Sequence, residues 1–383
     1  MINTFPYIAV LITMSLLIKT YAQECPSTLM KSFYLNGSRI INYRFFLVFI
    51  AYLIYIIFSV FRKIEYFGEF NIGGTDSIEY LGVFTQANIP LSESINNSNM
   101  EIGFTIVNWI LRQLSENYQL SLFFWHSLTF ILTVQFLQHL KINKFSVFTT
   151  FLILTNLISQ FNTLRMSIGV CIGLIVFISL DKKKWIWSFI LILIAMSIHM
   201  SSVILILVWI VTLLIEKTKK YPVRRLLECV CLGMLGALIA IKLVSVIFLS
   251  SEKYQAYLGE SSIAWGTNIA IAVIFILSII KYREMIEINS LNKVLIIALP
   301  ICLICIPLQY KISIMYRMTM YFMPVLFALI PSLCKCYSKV RYSVSSVVVK
   351  IILYSYMIFR TYSFFTEEGK YIGIPYVSTL FNF

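Results

Sequence analysis

Apolar residues along this chain come in continuous runs of about membrane-spanning length, separated by short polar connectors, as far as residue 360. Runs such as Phe189–Ile198 and Ile269–Ile280 show no alternation of period two, so they predict helices and not strands. Spans are predicted at 3–18, 45–61, 119–138, 145–161, 166–180, 185–198, 200–215, 226–249, 263–280, 294–309, 316–333 and 343–360. A hydrocarbon core about 30 Å thick takes about 20 helical residues per crossing, and every backbone polar group must be satisfied inside the segment. The pattern therefore predicts an all-α polytopic integral membrane protein of about 12 transmembrane helices, forming a single transmembrane domain over 1–383. One connector, 62–118, is long. Within it Glu101–Leu114 is apolar but too short to cross and carries Arg112, so it is predicted to be a short interfacial helix.

Composition agrees. The 383 residues are 59% hydrophobic and 13% charged, with a mean hydropathy of +0.85. A soluble domain would be about half apolar and a quarter charged, so lipid is the solvent for most of this fold. No soluble domain is evident. Ile8–Ile18 lacks a preceding basic stretch and is expected to be the first span, not a signal peptide.

The net charge of +14 raises nucleic acid as a partner, but the basic residues form no patch. They sit as short clusters between apolar runs, as cytoplasmic retention signals do, and no nucleic-acid partner is expected. Connectors alternating from Lys19 through Lys141, Lys182, Lys217, Lys281 and Lys335 hold twenty basic residues, and the opposite set holds nine. The positive-inside rule makes the richer set cytoplasmic. With an even number of spans, both termini and the 62–118 loop are then expected outside. No cysteine falls in an external loop, and Cys302-x-x-Cys305 lies in apolar sequence with no histidine nearby, so packing is its expected role.

Every residue suited to chemistry falls on the outer side of this map. Gly73-Gly74 can turn the backbone tightly and place Asp76 at a bend near the membrane surface, where a carboxylate could deprotonate a sugar hydroxyl. Glu79 lies one helical turn away and could share a divalent cation with it, though the pattern requires no metal or cofactor. Arg165 opens a span from outside, against the charge rule, and Arg317 repeats the arrangement. A phosphate would offset the cost of each, because guanidinium offers a planar fork that stays charged. His199 sits in a tight turn between two short spans, where it could hold a proton or bond a phosphate.

Gly74-Thr75-Asp76 with Tyr80, Glu101-x-Gly103-Phe104, Asn162-x-x-Arg165, His199 with Ser201, and Arg317-x-x-x-Tyr321 stand in an order that resembles the EpsG family. The terminal Ile374-Pro375-Tyr376 also looks like that family's tail, and the likeness covers about residues 40 to 380. The chain departs from it at Met166, where glutamine is expected, and at Met200, where a polar residue is common. The resemblance implies a membrane polymerase of surface polysaccharide, close in role to Wzy-type O-antigen polymerases. Its substrates would be polyprenyl-diphosphate-linked oligosaccharides, and it allows for a chain-length regulator as a protein partner. It implies Asp76 as base, with Glu101 or Glu79 as substitutes, Arg165 and Arg317 as the diphosphate clamp, His199 as an orienting group, and Tyr80 and Tyr321 in support. A flippase for the same lipid-linked unit, or a ligase-like glycosyltransferase, remains open from sequence. No P-loop or GxGxxG is present, in keeping with a donor that carries its own leaving group.

Overall fold

The computed structural model describes residues 5–22, 32–35, 38–67, 70–72, 74, 76–140, 147–218, 221–249, 265–338, 344–366 and 379. The chain divides into two compact units: Met1–Ile175 with Leu193–Met200 and Tyr354–Phe383, and Val176–Ile192 with Ser201–Leu353. The tail motif Ile374-Pro375-Tyr376 and residues Gly73 and Thr75 lie outside the described residues.

In the first unit, α1 (Phe5–Ala22) and α2 (Tyr43–Val60) pack on each other and on α6 (Gln119–His139). Leu11, Met14 and Ile18, spaced three and four residues apart, form the fully buried stripe of α1, while Ile12 and Leu16 stay exposed. Apolar residues thus lie on both faces, as a helix in lipid requires. Two short antiparallel hairpins add to the all-helical expectation: β1 (Ser32–Leu35) with β2 (Ser38–Asn42), and β3 (Glu65–Phe67) with β4 (Phe70–Ile72).

A polar chain runs through this apolar unit. Arg62, 4% exposed, donates to His126 Nε2 at 2.8 Å and lies 4.4 Å from the Phe161 ring centroid. With Nε2 accepting, the His126 proton belongs on Nδ1, facing Tyr55 Oη at 2.8 Å, and Tyr55 donates onward to the Leu157 carbonyl at 3.1 Å. Each member is satisfied by the next, which is what makes burying it tolerable.

The 62–118 loop holds three helices where one was expected: α3 (Ser77–Gln86), α4 (Leu91–Asn97) and α5 (Ile102–Leu114). The last is the predicted interfacial segment. It buries Phe104, Thr105, Asn108 and Leu111 on one face and leaves Ile102, Ile110 and Leu114 exposed on another. Asn108 Oδ1 accepts from Ser121, and Trp109 and Gln113 donate to the carbonyls of Ile89 and Ala87.

The expected spans 145–161 and 166–180 are continuous in one helix, α7 (Val147–Asp181), interrupted at Thr163 with φ −120° and ψ 56°. Its 35 residues would measure about 52 Å if straight, well beyond a hydrocarbon core of about 30 Å. The kink divides it into two lengths each near one membrane thickness. Helix α8 (Trp185–Ile198) follows.

The second unit contains α9 (Ile204–Lys217), after a 3₁₀ turn at Met200–Val203, then α10 (Pro222–Leu249), α11 (Trp265–Ile280) and α12 (Tyr282–Ile288). The expected span 294–309 is broken into α13 (Leu291–Ala298), α14 (Ile301–Ile304) and α15 (Ile306–Lys311). Pro300 and Pro307 explain the breaks, since each removes a backbone donor and tolerates only a helix's first turn. The expected span at 316 begins as a 3₁₀ segment, Ser313–Tyr321, before α16 (Met323–Ser338). Helix α17 (Val344–Thr366) comes last.

Connectors grouped by their charge meet in this unit. Glu216 accepts from Lys183 at 3.1 Å and also pairs with Lys293, and Ser290 donates to Asp181 at 3.0 Å. Among the described residues, 119–139, 149–181, 200–217, 291–310 and 315–338 are long and apolar enough to cross a membrane, and four shorter apolar helices accompany them. The protein is a polytopic membrane protein.

Candidate functional site

The kink in α7 organises the site, which lies wholly in the first unit. A kinked helix leaves carbonyls in need of donors. The Phe161 carbonyl, just before Thr163, accepts from Ser77 Oγ at 2.7 Å, which fastens the start of α3 to the kink. The same carbonyl explains Gly74. Its φ is +115°, and a Cβ there would stand 1.6 Å from that oxygen, so no side chain fits. Gly74 and Ser77, on either side of Asp76, therefore both meet the kink directly.

Arg165 emerges two residues past the kink and pairs with Glu101, the residue that caps α5 with an extended backbone. The other Glu101 oxygen faces His199 Nδ1 at 3.2 Å and accepts from the Met200 backbone N–H at 3.0 Å. Gly103 permits this approach. A Cβ there would lie 2.3 Å from Ser197 Oγ and 2.7 Å from the Ser197 carbonyl, so a larger residue would push α5 off the end of α8. Glu101, Arg165 and His199 thus come from three segments distant in sequence, with side chains only 13–22% exposed.

Burial by itself would raise the Glu101 carboxyl. The hydrogen bond from His199, the Arg165 charge and the Met200 N–H outweigh it and bring the carboxyl down to about 2. With Nδ1 facing this carboxylate, the neutral imidazole keeps its proton on Nδ1 and a lone pair on Nε2. Among the described residues, His199 Nε2 and Arg165 Nε are buried without a hydrogen-bond partner. The arrangement can accept a proton at one nitrogen and offer a cationic donor beside it.

Tyr80, 3% exposed, stands under Arg165, with the guanidinium carbon 5.7 Å from its ring centroid. It packs edge-on to Phe104, which stacks on Trp125 at 5.5 Å. The Tyr80 hydroxyl donates to Asp76 Oδ2 in a long contact of 3.5 Å. Asp76 is half-buried at the start of α3, and Glu79 points outward, exposed.

The structure brings together Glu101, Arg165, His199 and Tyr80, with Asp76 one hydrogen bond further out. Arg317 and Tyr321 belong to the second unit. Tyr321, 1% exposed, bonds the hydroxyls of Ser202 at 2.8 Å and Ser201 at 3.2 Å. Arg317 lies half-buried in the 3₁₀ segment, and among the described residues it has no ionic or hydrogen-bonding partner. Three contributions escape sequence reasoning. The Met200 N–H is backbone and leaves no residue signature. Ser77 stands beside one motif and Gly103 within another, but the use of each depends on a partner 84 or 94 residues away.

A sequence model described as the EpsG family matches residues 46–378. No curated protein and no solved structure matches the chain. With most of its length matched, spanning every residue of the site, the protein belongs to the EpsG family.

Proposed function

We propose that this protein is a polysaccharide polymerase that joins lipid-linked repeat units on the outer face of a bacterial inner membrane. The donor is an oligosaccharide carried on a polyprenyl diphosphate, and the acceptor is a hydroxyl of another lipid-linked unit. The acceptor oxygen attacks the donor's anomeric carbon, the bond from that carbon to the diphosphate oxygen breaks, and the diphosphate leaves with the electron pair. Family membership and the outward-facing chemistry of the charge map support the reaction class. One observation supports the site: Glu101 commits its oxygens to Arg165, His199 Nδ1 and the Met200 N–H, leaving Arg165 Nε and His199 Nε2 uncommitted.

His199 Nε2 takes the acceptor proton, and Arg165 stabilises the charge growing on the diphosphate. Glu101, held ionised by three donors, positions both and is a poor base. Asp76, bonded by Tyr80, is the second candidate for the base. Arg317 keeps the role of phosphate ligand, supported by its having no ionic or hydrogen-bonding partner among the described residues.

The test deletes the gene in its host and resolves the surface polysaccharide on a gel. A polymerase defect leaves a single repeat unit on its anchor. A flippase or ligase defect leaves none and would overturn the reading. Complementation with His199→Gln should leave the single-unit band and restore no ladder. A normal ladder from His199→Gln together with none from Asp76→Asn would move the base to Asp76.

A further inference from the structure

The second unit carries a groove of about 1210 Å³ between the start of α10 and the junction of α11 with α12. Its wall is apolar, with Leu227 on α10 and Ile279 and Ile280 at the end of α11. Its rim is basic, with Arg224, Lys281 and Arg283. Two carboxylates share that rim, and both are occupied. Glu228 accepts from Arg224 at 3.0 Å and from Arg225 at 3.1 Å, and Glu284 accepts from Lys281 at 2.7 Å. Arg283 is exposed and, among the described residues, has no ionic or hydrogen-bonding partner. Three lining cations against two carboxylates leave the rim electropositive, and Arg225 behind it offsets part of the Glu228 charge.

The groove opens where two apolar helices meet their basic connectors. Helix α10 leaves Leu232, Leu235 and Ile239 exposed, and α11 leaves Ile269, Ile276 and Ile280 exposed, so apolar surface continues from the groove along both helices. Both helices pack against α14, which supports them from within the unit. An occupant must therefore carry an anionic head at the connector end and long apolar chains along the helices. Neither a free phosphate nor a soluble peptide meets both conditions. We infer that this groove binds an anionic phospholipid, its phosphate on Arg283 and Arg224 and its acyl chains against Leu227, Ile279 and Ile280. Basic pockets between membrane helices hold anionic headgroups by this combination of charge and apolar contact. The inference is independent of the polymerase reading, since no residue of the groove belongs to the Glu101 cluster.

The test titrates the full chain, purified in a neutral detergent, with phosphatidylglycerol and with phosphatidylcholine of equal chain length, and reads bound lipid by native mass spectrometry. Wild type should prefer phosphatidylglycerol. Arg283→Gln should weaken that binding about fivefold, the effect of about one cation near a membrane surface, and leave phosphatidylcholine unchanged. Ile280→Glu places a carboxylate in the apolar wall and should reduce both lipids. Equal binding of the two lipids by wild type would overturn the proposal, as would an equal loss in Lys184→Gln, a basic connector residue that does not line the groove. A polypeptide co-purifying in the groove in place of lipid would overturn it as well.

Discussion

Glu101 receives three donors and gives none, so its charge is the pivot on which Arg165 and His199 are set. Glu101→Gln keeps the shape and removes that charge. Breaking a fully buried ion pair costs about 3–5 kcal/mol, and the partial exposure of this one places its loss toward or below the lower figure. We expect the variant to fold but to make no polymer ladder in a complemented deletion strain. The pH dependence follows from the depressed carboxyl. Its stabilisation is complete above the unfolded value near 4.5 and disappears as pH falls through about 2. The difference in melting temperature between wild type and Glu101→Gln should therefore shrink as pH falls below about 4.5 and vanish near 2. A difference that grew as pH fell below about 4.5 would contradict the assigned ion pair. At this scale the sequence singled out Glu101, Arg165 and His199 but not their contacts with one another. Glu101 read as a substitute for Asp76 because its partners lie 64 and 98 residues away, and a linear reading sees only the short Glu-x-Gly-Phe motif.

Helix positions were legible, but interruptions were only partly so. Pro300 and Pro307 announced breaks that the hydropathy of 294–309 concealed, because a window average weighs side chains and ignores a missing N–H. The bend at Thr163 had no comparable signal. No proline or glycine stands in Gln160-Phe161-Asn162-Thr163-Leu164-Arg165, and the bend depends on Ser77 and Gly74 approaching from another element. Gly74 and Gly103 carry this element-level geometry, and the second gives a direct test. Gly103→Ala forces α5 away from the Ser197 carbonyl, which should cost about 1–3 kcal/mol of stability. Displacing Glu101 by a fraction of the helix radius should lower polymer formation on the order of 10²-fold. Thermal melts and ladder intensity measure the two effects. Gly82→Ala, inside α3 where a Cβ meets nothing within 4 Å, should raise stability by about 0.5–1 kcal/mol and leave the ladder intact, and serves as the control.

Across the whole molecule, the charge map predicts which residues share a compartment. The structure is compatible at two places: the three outer-assigned groups Glu101, Arg165 and His199 adjoin one another, and the basic connectors around Lys183, Glu216 and Lys293 adjoin one another. Neither cluster mixes residues assigned to opposite faces. Single cysteines at Glu116 and at Lys184, both exposed, convert this into a measurement. In a background lacking Cys231, the exposed one of the described free cysteines, a membrane-impermeant maleimide should label position 116 on intact spheroplasts and position 184 only after permeabilisation. The reverse pattern would put the Glu101 cluster in the cytoplasm and end its assignment to outer-face chemistry.

The order of synthesis gives the first unit's discontinuity a further meaning. Its carboxylate, guanidinium and imidazole are all translated by residue 199, and the segment Leu193–Met200 returns to this unit before most of the second has been made. A nascent chain at that stage already contains the imidazole proposed as proton acceptor and the carboxylate that faces it. Arg317 is added more than a hundred residues later, so of the groups assigned to the diphosphate it is the last to be made.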